Sequence, residues 1–126
     1  LYIQNEDGGF VKTNTELFEA DALAEDVASL FFDADKDGDA DLYVGSGGNE
    51  VSTSSSALSD RLYINNGKGV FTKSDQLLPT AQFESTSAVK AADFDNDGDW
   101  DLFVGIRSHP FLYGIPQNGY LLRNDG

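Results

Sequence analysis

The chain has 126 residues, a formal net charge of −14, 40% hydrophobic and 12% aromatic residues, and no cysteine. That much apolar side chain sets it apart from disordered acidic chains, and its acidity argues against nucleic acid and anionic membrane surfaces, which need basic patches. Without cysteine there is no disulfide or thiol chemistry, and no run of 18 apolar residues offers a helical membrane span.

In chain order, residues 1–4 and 9–13 read as two short strands around a glycine turn. Residues 16–25 fit one or two helical turns or an extended connector, and the pattern does not decide between them. Residues 26–32 carry an apolar run, Val27-Ala28-Ser29-Leu30-Phe31-Phe32, that reads as a strand. Asp33-Ala34-Asp35-Lys36-Asp37-Gly38-Asp39-Ala40-Asp41-Leu42 follows, and then a short strand over 41–45. After a polar connection come strands at 61–65 and 69–73, joined by the tight turn Asn66-Gly67-Lys68-Gly69. Residues 86–92 have weak strand propensity and take their assignment from alignment with 26–32. The chain then repeats itself: Asp93-Phe94-Asp95-Asn96-Asp97-Gly98-Asp99-Trp100-Asp101-Leu102, a strand over 101–105, a long connection and a strand over 119–123.

The two Asp-rich segments share the pattern D-x-D-x-D-G-D-x-D-L and begin 60 residues apart. Five aspartates in nine residues repel one another unless a cation sits among them. Ca²⁺ takes about six to eight oxygen ligands at about 2.3–2.6 Å, which alternate carboxylates on a turned loop supply. In the first copy Asp33, Asp35 and Asp37 face inward, Gly38 makes the sharp bend, Asp39 offers its backbone carbonyl and Asp41 closes the cage. Asp93, Asp95, Asp97, Asp99 (through its carbonyl) and Asp101 take the same roles in the second. One such loop would read as an acidic surface turn, but two copies with the same glycine do not. Magnesium is disfavoured because it keeps several waters and rarely uses an all-protein cage. The expectation is about two Ca²⁺ per chain, which would bring the net charge from −14 to −10.

An EF-hand begins with the same D-x-D-x-D-G but needs a bidentate glutamate at position 12 and a flanking helix on each side. Position 12 here is Val44 or Val104, and the flanks read as strands.

The repeat extends beyond the loops. Leu1-Tyr2-Ile3-Gln4 matches Leu62-Tyr63-Ile64-Asn65, and Leu121-Leu122-Arg123-Asn124 opens a third copy. Each unit can be drawn as four short antiparallel strands with the Asp loop between the first two, which predicts an all-β chain of β-propeller blades. Residues 1–20 are expected to be the end of a preceding blade with its connector, 21–75 the first full repeat, and 76–126 a second repeat lacking its last strand. Both ends read as mid-strand or mid-turn, so a piece of a larger propeller is expected.

The remaining candidates take plainer readings. His109, the only histidine, precedes a proline in a loop and has no cysteine to pair with. Arg107 and Arg123 read as structural ion-pair partners rather than an anion site. Trp100 reads as packing between blades rather than a cover for the metal or a sugar platform. Phe111 and Tyr113, in the aromatic connection 106–118, are a minor candidate for a carbohydrate platform. The serine run 52–56 reads as a flexible tip.

The loop, strand and hairpin, in that order and twice over, resemble the FG-GAP and VCBS repeats. The pattern is D-x-D-x-D-G-x-x-D-L-x-V-G followed by L-Y-x-N-x-G-x-G-x-F, and it covers most of the chain. The resemblance implies a calcium-stabilised propeller, usually of about seven blades, used in adhesion, ligand binding or scaffolding. The expected function is a non-enzymatic, calcium-binding repeat module that is secreted, periplasmic or at the cell surface. Its expected partner is a protein or glycan, with no nucleic acid and no membrane insertion, and exposed blade faces are candidates for self-association. The alternatives are a portion of a secreted polysaccharide- or ester-processing propeller enzyme, or a structural spacer.

Overall fold

A computed structural model describes residues 1–49, 55–76, 78, 84–109, 111, 112 and 114–126. Its described residues are all-β apart from two short helical turns, at Thr15–Glu19 and Ser56–Leu58. The strands are β1 (Tyr2–Gln4), β2 (Phe10–Lys12), β3 (Glu25–Phe32), β4 (Asp41–Gly47), β5 (Arg61–Asn65), β6 (Phe71–Lys73), β7 (Ser85–Ala92), β8 (Asp101–Ser108) and β9 (Tyr120–Leu122). The undecided segment between β2 and β3 contains a short helix, α1 (Thr15–Glu19).

The strands form three antiparallel sheets, ordered β1-β2, β3-β4-β5-β6 and β7-β8-β9. This is the layout of propeller blades, and the described residues do not close into a barrel. Equivalent residues pair alike in the second and third sheets: Phe31 with Leu42 and Ala91 with Leu102, then Tyr43 with Leu62 and Phe103 with Leu121.

β4 lies at the centre, with all seven of its residues buried. Side chains alternate across a strand, so β4 feeds two cores. Leu42 and Val44 join Tyr63 and Phe71 on one face, where Leu1, Leu17 and Phe18 pack against them. Tyr43 points the other way and joins Val89, Leu102 and Val104, with Leu30, Phe32 and Tyr120 at the margin. The second core is thus shared between the second and third sheets. Each fully buried large apolar side chain in it contributes about 1.5–3 kcal/mol.

β4 and β8 run to residues 47 and 108, past the glycines at 45 and 105 expected to end them. Gly45 is a packing residue rather than a stop. A Cβ there would lie 2.5 Å from the Thr86 methyl of β7, so only glycine lets the two sheets approach this closely.

Polar groups tie the pieces together. Asn14 donates through Nδ2 to the Gly69 carbonyl (2.8 Å) and accepts from the Phe71 amide (3.0 Å), which fastens the α1 entry to the turn before β6. Between the second and third sheets, buried Asp60 accepts from the Tyr43 hydroxyl (2.7 Å), the Ser46 amide (2.7 Å) and the Thr86 hydroxyl (2.9 Å). Among the described residues no helix is long and apolar enough to cross a membrane.

Candidate metal centres

The Asp loops join β3 to β4 and β7 to β8. Both fold through the same local bonds. The first aspartate accepts from the glycine amide five residues on: Asp33 Oδ2 from Gly38 and Asp93 Oδ2 from Gly98, each at 3.1 Å. The third accepts two residues on: Asp37 Oδ1 from Asp39 and Asp97 Oδ1 from Asp99, each at 2.9 Å. These short side-chain-to-backbone bonds are why aspartate favours turns. Gly38 and Gly98 take φ of 89° and 91°, and the fourth residues, Lys36 and Asn96, both take 63°.

The ninth aspartate is a fixed post in each loop. Asp41 accepts from the Ala34 amide (2.8 Å) and the Asn65 amide (2.7 Å). Asp101 accepts from Phe94 and Asn124, both at 2.9 Å. Each bond to Asn65 or Asn124 ties the loop to the third strand of its own sheet or to the residues just after it.

In the first loop, carboxylate oxygens of Asp33, Asp35 and Asp37 lie within 4.8 Å of one another. In the second, the group is Asp93, Asp95 and Asp101. The loops therefore differ in their third member, and Asp41 and Asp97 stand outside these closest groups. The Asp39 and Asp99 side chains stand outside as well: Asp39 lies against Gly67 of the neighbouring hairpin, and Asp99 is paired with Lys36. Partial desolvation, then the like charges of Asp37, Asp41 and Asp33, hold the Asp35 carboxyl above its ordinary value. Asp95 is raised in the same way, with Asp97 and Asp101 as the like charges.

The family model of the FG-GAP-like repeat matches residues 45–104. That segment is similar to FG-GAP-like repeats. It runs from β4 through the β5–β6 hairpin and the second Asp loop into β8. No curated protein matches the chain, and no solved structure matches it.

The residues of the two loops suit a hard divalent cation. Asp33 Oδ1 is sealed from solvent and has no hydrogen-bond partner among the described residues. An orphaned carboxylate oxygen beside two further carboxylates is costly on its own and supplies the oxygen donors that calcium takes. Asp33, Asp35 and Asp37 in the first loop, and Asp93, Asp95 and Asp101 in the second, form groups that could hold a metal ion.

The other sequence candidates are positioned as follows. Arg123 Nη1 lies 3.7 Å from Asp95 Oδ2, a structural ion pair with the second loop. Arg107 is exposed and lines an open cleft with Glu25, Asn49 and Ser85. Trp100, half exposed, lines a cavity of about 270 Å³ with Phe32, Leu62, Leu102 and Leu122, which places it at the seam between the sheets. His109 forms an isolated bridge with Leu112. Phe111 is exposed. Tyr113 and Ser52–Ser54 lie outside the described residues.

Sequence reasoning passed over Asn65, Asn124, Asp60 and Lys36. The asparagines carried a signal, since both hold the fourth place of the repeated L-x-x-N. Asp60 and Lys36 carried none, because their roles arise only when the sheets are stacked.

Proposed function

We propose that the chain is a calcium-binding β-propeller repeat module with one Ca²⁺ in each Asp loop. The observation that carries this reading is the sealed, unpartnered Asp33 Oδ1 within one of two carboxylate groups that recur a repeat apart. The ions take carboxylate oxygens from Asp33, Asp35, Asp37 and Asp41, and from Asp93, Asp95, Asp97 and Asp101, with the Asp39 and Asp99 carbonyls completing each set. Their role is structural: they cancel carboxylate repulsion and hold β3 to β4 and β7 to β8, and their binding free energy adds to folding. The module belongs outside the cytoplasm, where calcium is plentiful enough to fill modest sites. It acts as a binding module and not as an enzyme, recognising a protein or glycan through the connections 48–60 and 109–119.

Calorimetric titration of metal-stripped protein with CaCl₂ tests this, with melts run with and without chelator. Two ions per chain and a melting temperature that rises with calcium are expected. No heat of binding and an unchanged melt overturn the reading.

A further inference from the structure

The two Asp loops touch. Lys36, the fourth residue of the first loop, forms an ion pair with Asp99, the seventh residue of the second. Asp99 is 5% exposed, so the Lys36 ammonium meets a carboxylate largely withdrawn from water. A second link runs through Asn124. Its backbone amide donates to Asp101 Oδ1 (2.9 Å), and its side-chain Nδ2 donates to the Ala34 carbonyl of the first loop (3.0 Å). Ala34 in turn donates its amide to Asp41 Oδ2 (2.8 Å). A run of three hydrogen bonds thus joins Asp41 of the first loop to Asp101 of the second.

Neither link is a by-product of the repeat. Asn65, the equivalent of Asn124, turns its Nδ2 back to Ala40 of its own loop (3.1 Å). The equivalent of Lys36 is Asn96, which carries no charge.

We propose that Lys36 and Asn124 couple the two loops, so that an ion held in one raises the affinity of the other for its ion. The inference rests on the calcium reading. Binding at either loop costs the ordering of that loop. An ion in the first loop fixes Ala34 and Lys36, and through them the Asp101 and Asp99 ends of the second. The second ion then meets a loop already ordered, which is positive cooperativity by preorganisation. Linkage makes the effect reciprocal. Typical couplings are about 5- to 150-fold, and two short polar links fit the lower part of that range, about tenfold.

The test is calorimetric titration of the metal-stripped chain with CaCl₂. D35A leaves the second loop to bind alone, and D95A leaves the first. The product of these two single-loop constants is compared with the overall two-ion constant of the unmodified chain. The overall constant is expected to exceed that product about tenfold. N124A keeps the backbone bond to Asp101 and removes the cross-link, together with the exposed bond that Asn124 Oδ1 accepts from the Gly126 amide (3.2 Å). K36M/D99N removes the ion pair without leaving a buried charge unpaired. Each is expected to bind two ions with most of the excess lost, and the two variants guard against one of them failing to fold. Two ions bound with an overall constant equal to the product overturn the coupling and leave the calcium reading standing. No ion bound by the unmodified chain overturns both.

Discussion

Tyr43 and Phe103 hold the same position in successive sheets, one residue after the leucine that closes each Asp loop, yet their surroundings are opposite. Tyr43 is 0% exposed beneath the third sheet, whereas Phe103 is 50% exposed beside an equally open Leu121. The chain thus contains both the covered and the uncovered form of one surface. Tyr43→Ala is expected to destabilise by about 3–5 kcal/mol, the usual cost of emptying a buried aromatic site. Phe103→Ala is expected to cost less than about 1 kcal/mol. Urea unfolding of both variants checks this, and equal losses would mean that Phe103 is covered in solution.

Gly45 and Thr86 set the spacing of the same two sheets. Gly45→Ala is expected to cost about 1–3 kcal/mol through overpacking. Thr86→Ser removes the obstructing methyl and keeps the hydroxyl that donates to Asp60. The double variant should therefore recover much of the loss of Gly45→Ala. A double-mutant cycle with no coupling would remove this contact from the account.

Asp60 makes stability depend on pH. Burial, the largest influence, lifts its carboxyl above the ordinary aspartate value of about 3.9, against the opposing donors Ser46, Tyr43 and Thr86. A folded value above the unfolded one means that the native state holds the proton more tightly. The contribution from Asp60 is therefore full at pH below the unfolded value and is lost as pH rises through the folded one. Melting temperatures measured upward from pH ~4 in chelator should show a falling component that Asp60→Asn removes. A slope unchanged in that variant would assign the dependence to other carboxyls.

Calcium itself has an expected size. At 100 times its dissociation constant, each ion adds about 2.7 kcal/mol to folding. D35A and D95A should each bind one ion and lose about half of the calcium-dependent rise in stability. Retention of both ions in either variant would remove the loop assignment.

Much of this fold is written in local sequence. The apolar run of β3, the glycine turn between β5 and β6 and the doubled Asp pattern each act within a few residues, so these strands and loops are visible before any packing is known. β7 is the instructive case. Its Ala-rich sequence is a poor strand by propensity, and it forms because Val89 and Ala91 cover Tyr43 and Leu30. Asp60 shows the opposite limit. In sequence it is one more polar residue beside a serine-rich connection, and only the meeting of Tyr43, Ser46 and Thr86 around it makes it a buried tie. The contacts of Lys36 and Asn124 likewise span 63 and 90 positions, farther than any periodic pattern reaches.

β4 supplies side chains to both cores and is hydrogen-bonded to β3 on one side and β5 on the other. Peeling away the third sheet bares Tyr43, and loosening the first sheet and α1 bares Leu42 and Val44, but neither opening frees the peptide groups of these three residues from β3 and β5. In amide hydrogen exchange, those groups should be the slowest to take up deuterium, marking the whole-molecule opening against which every faster site is measured.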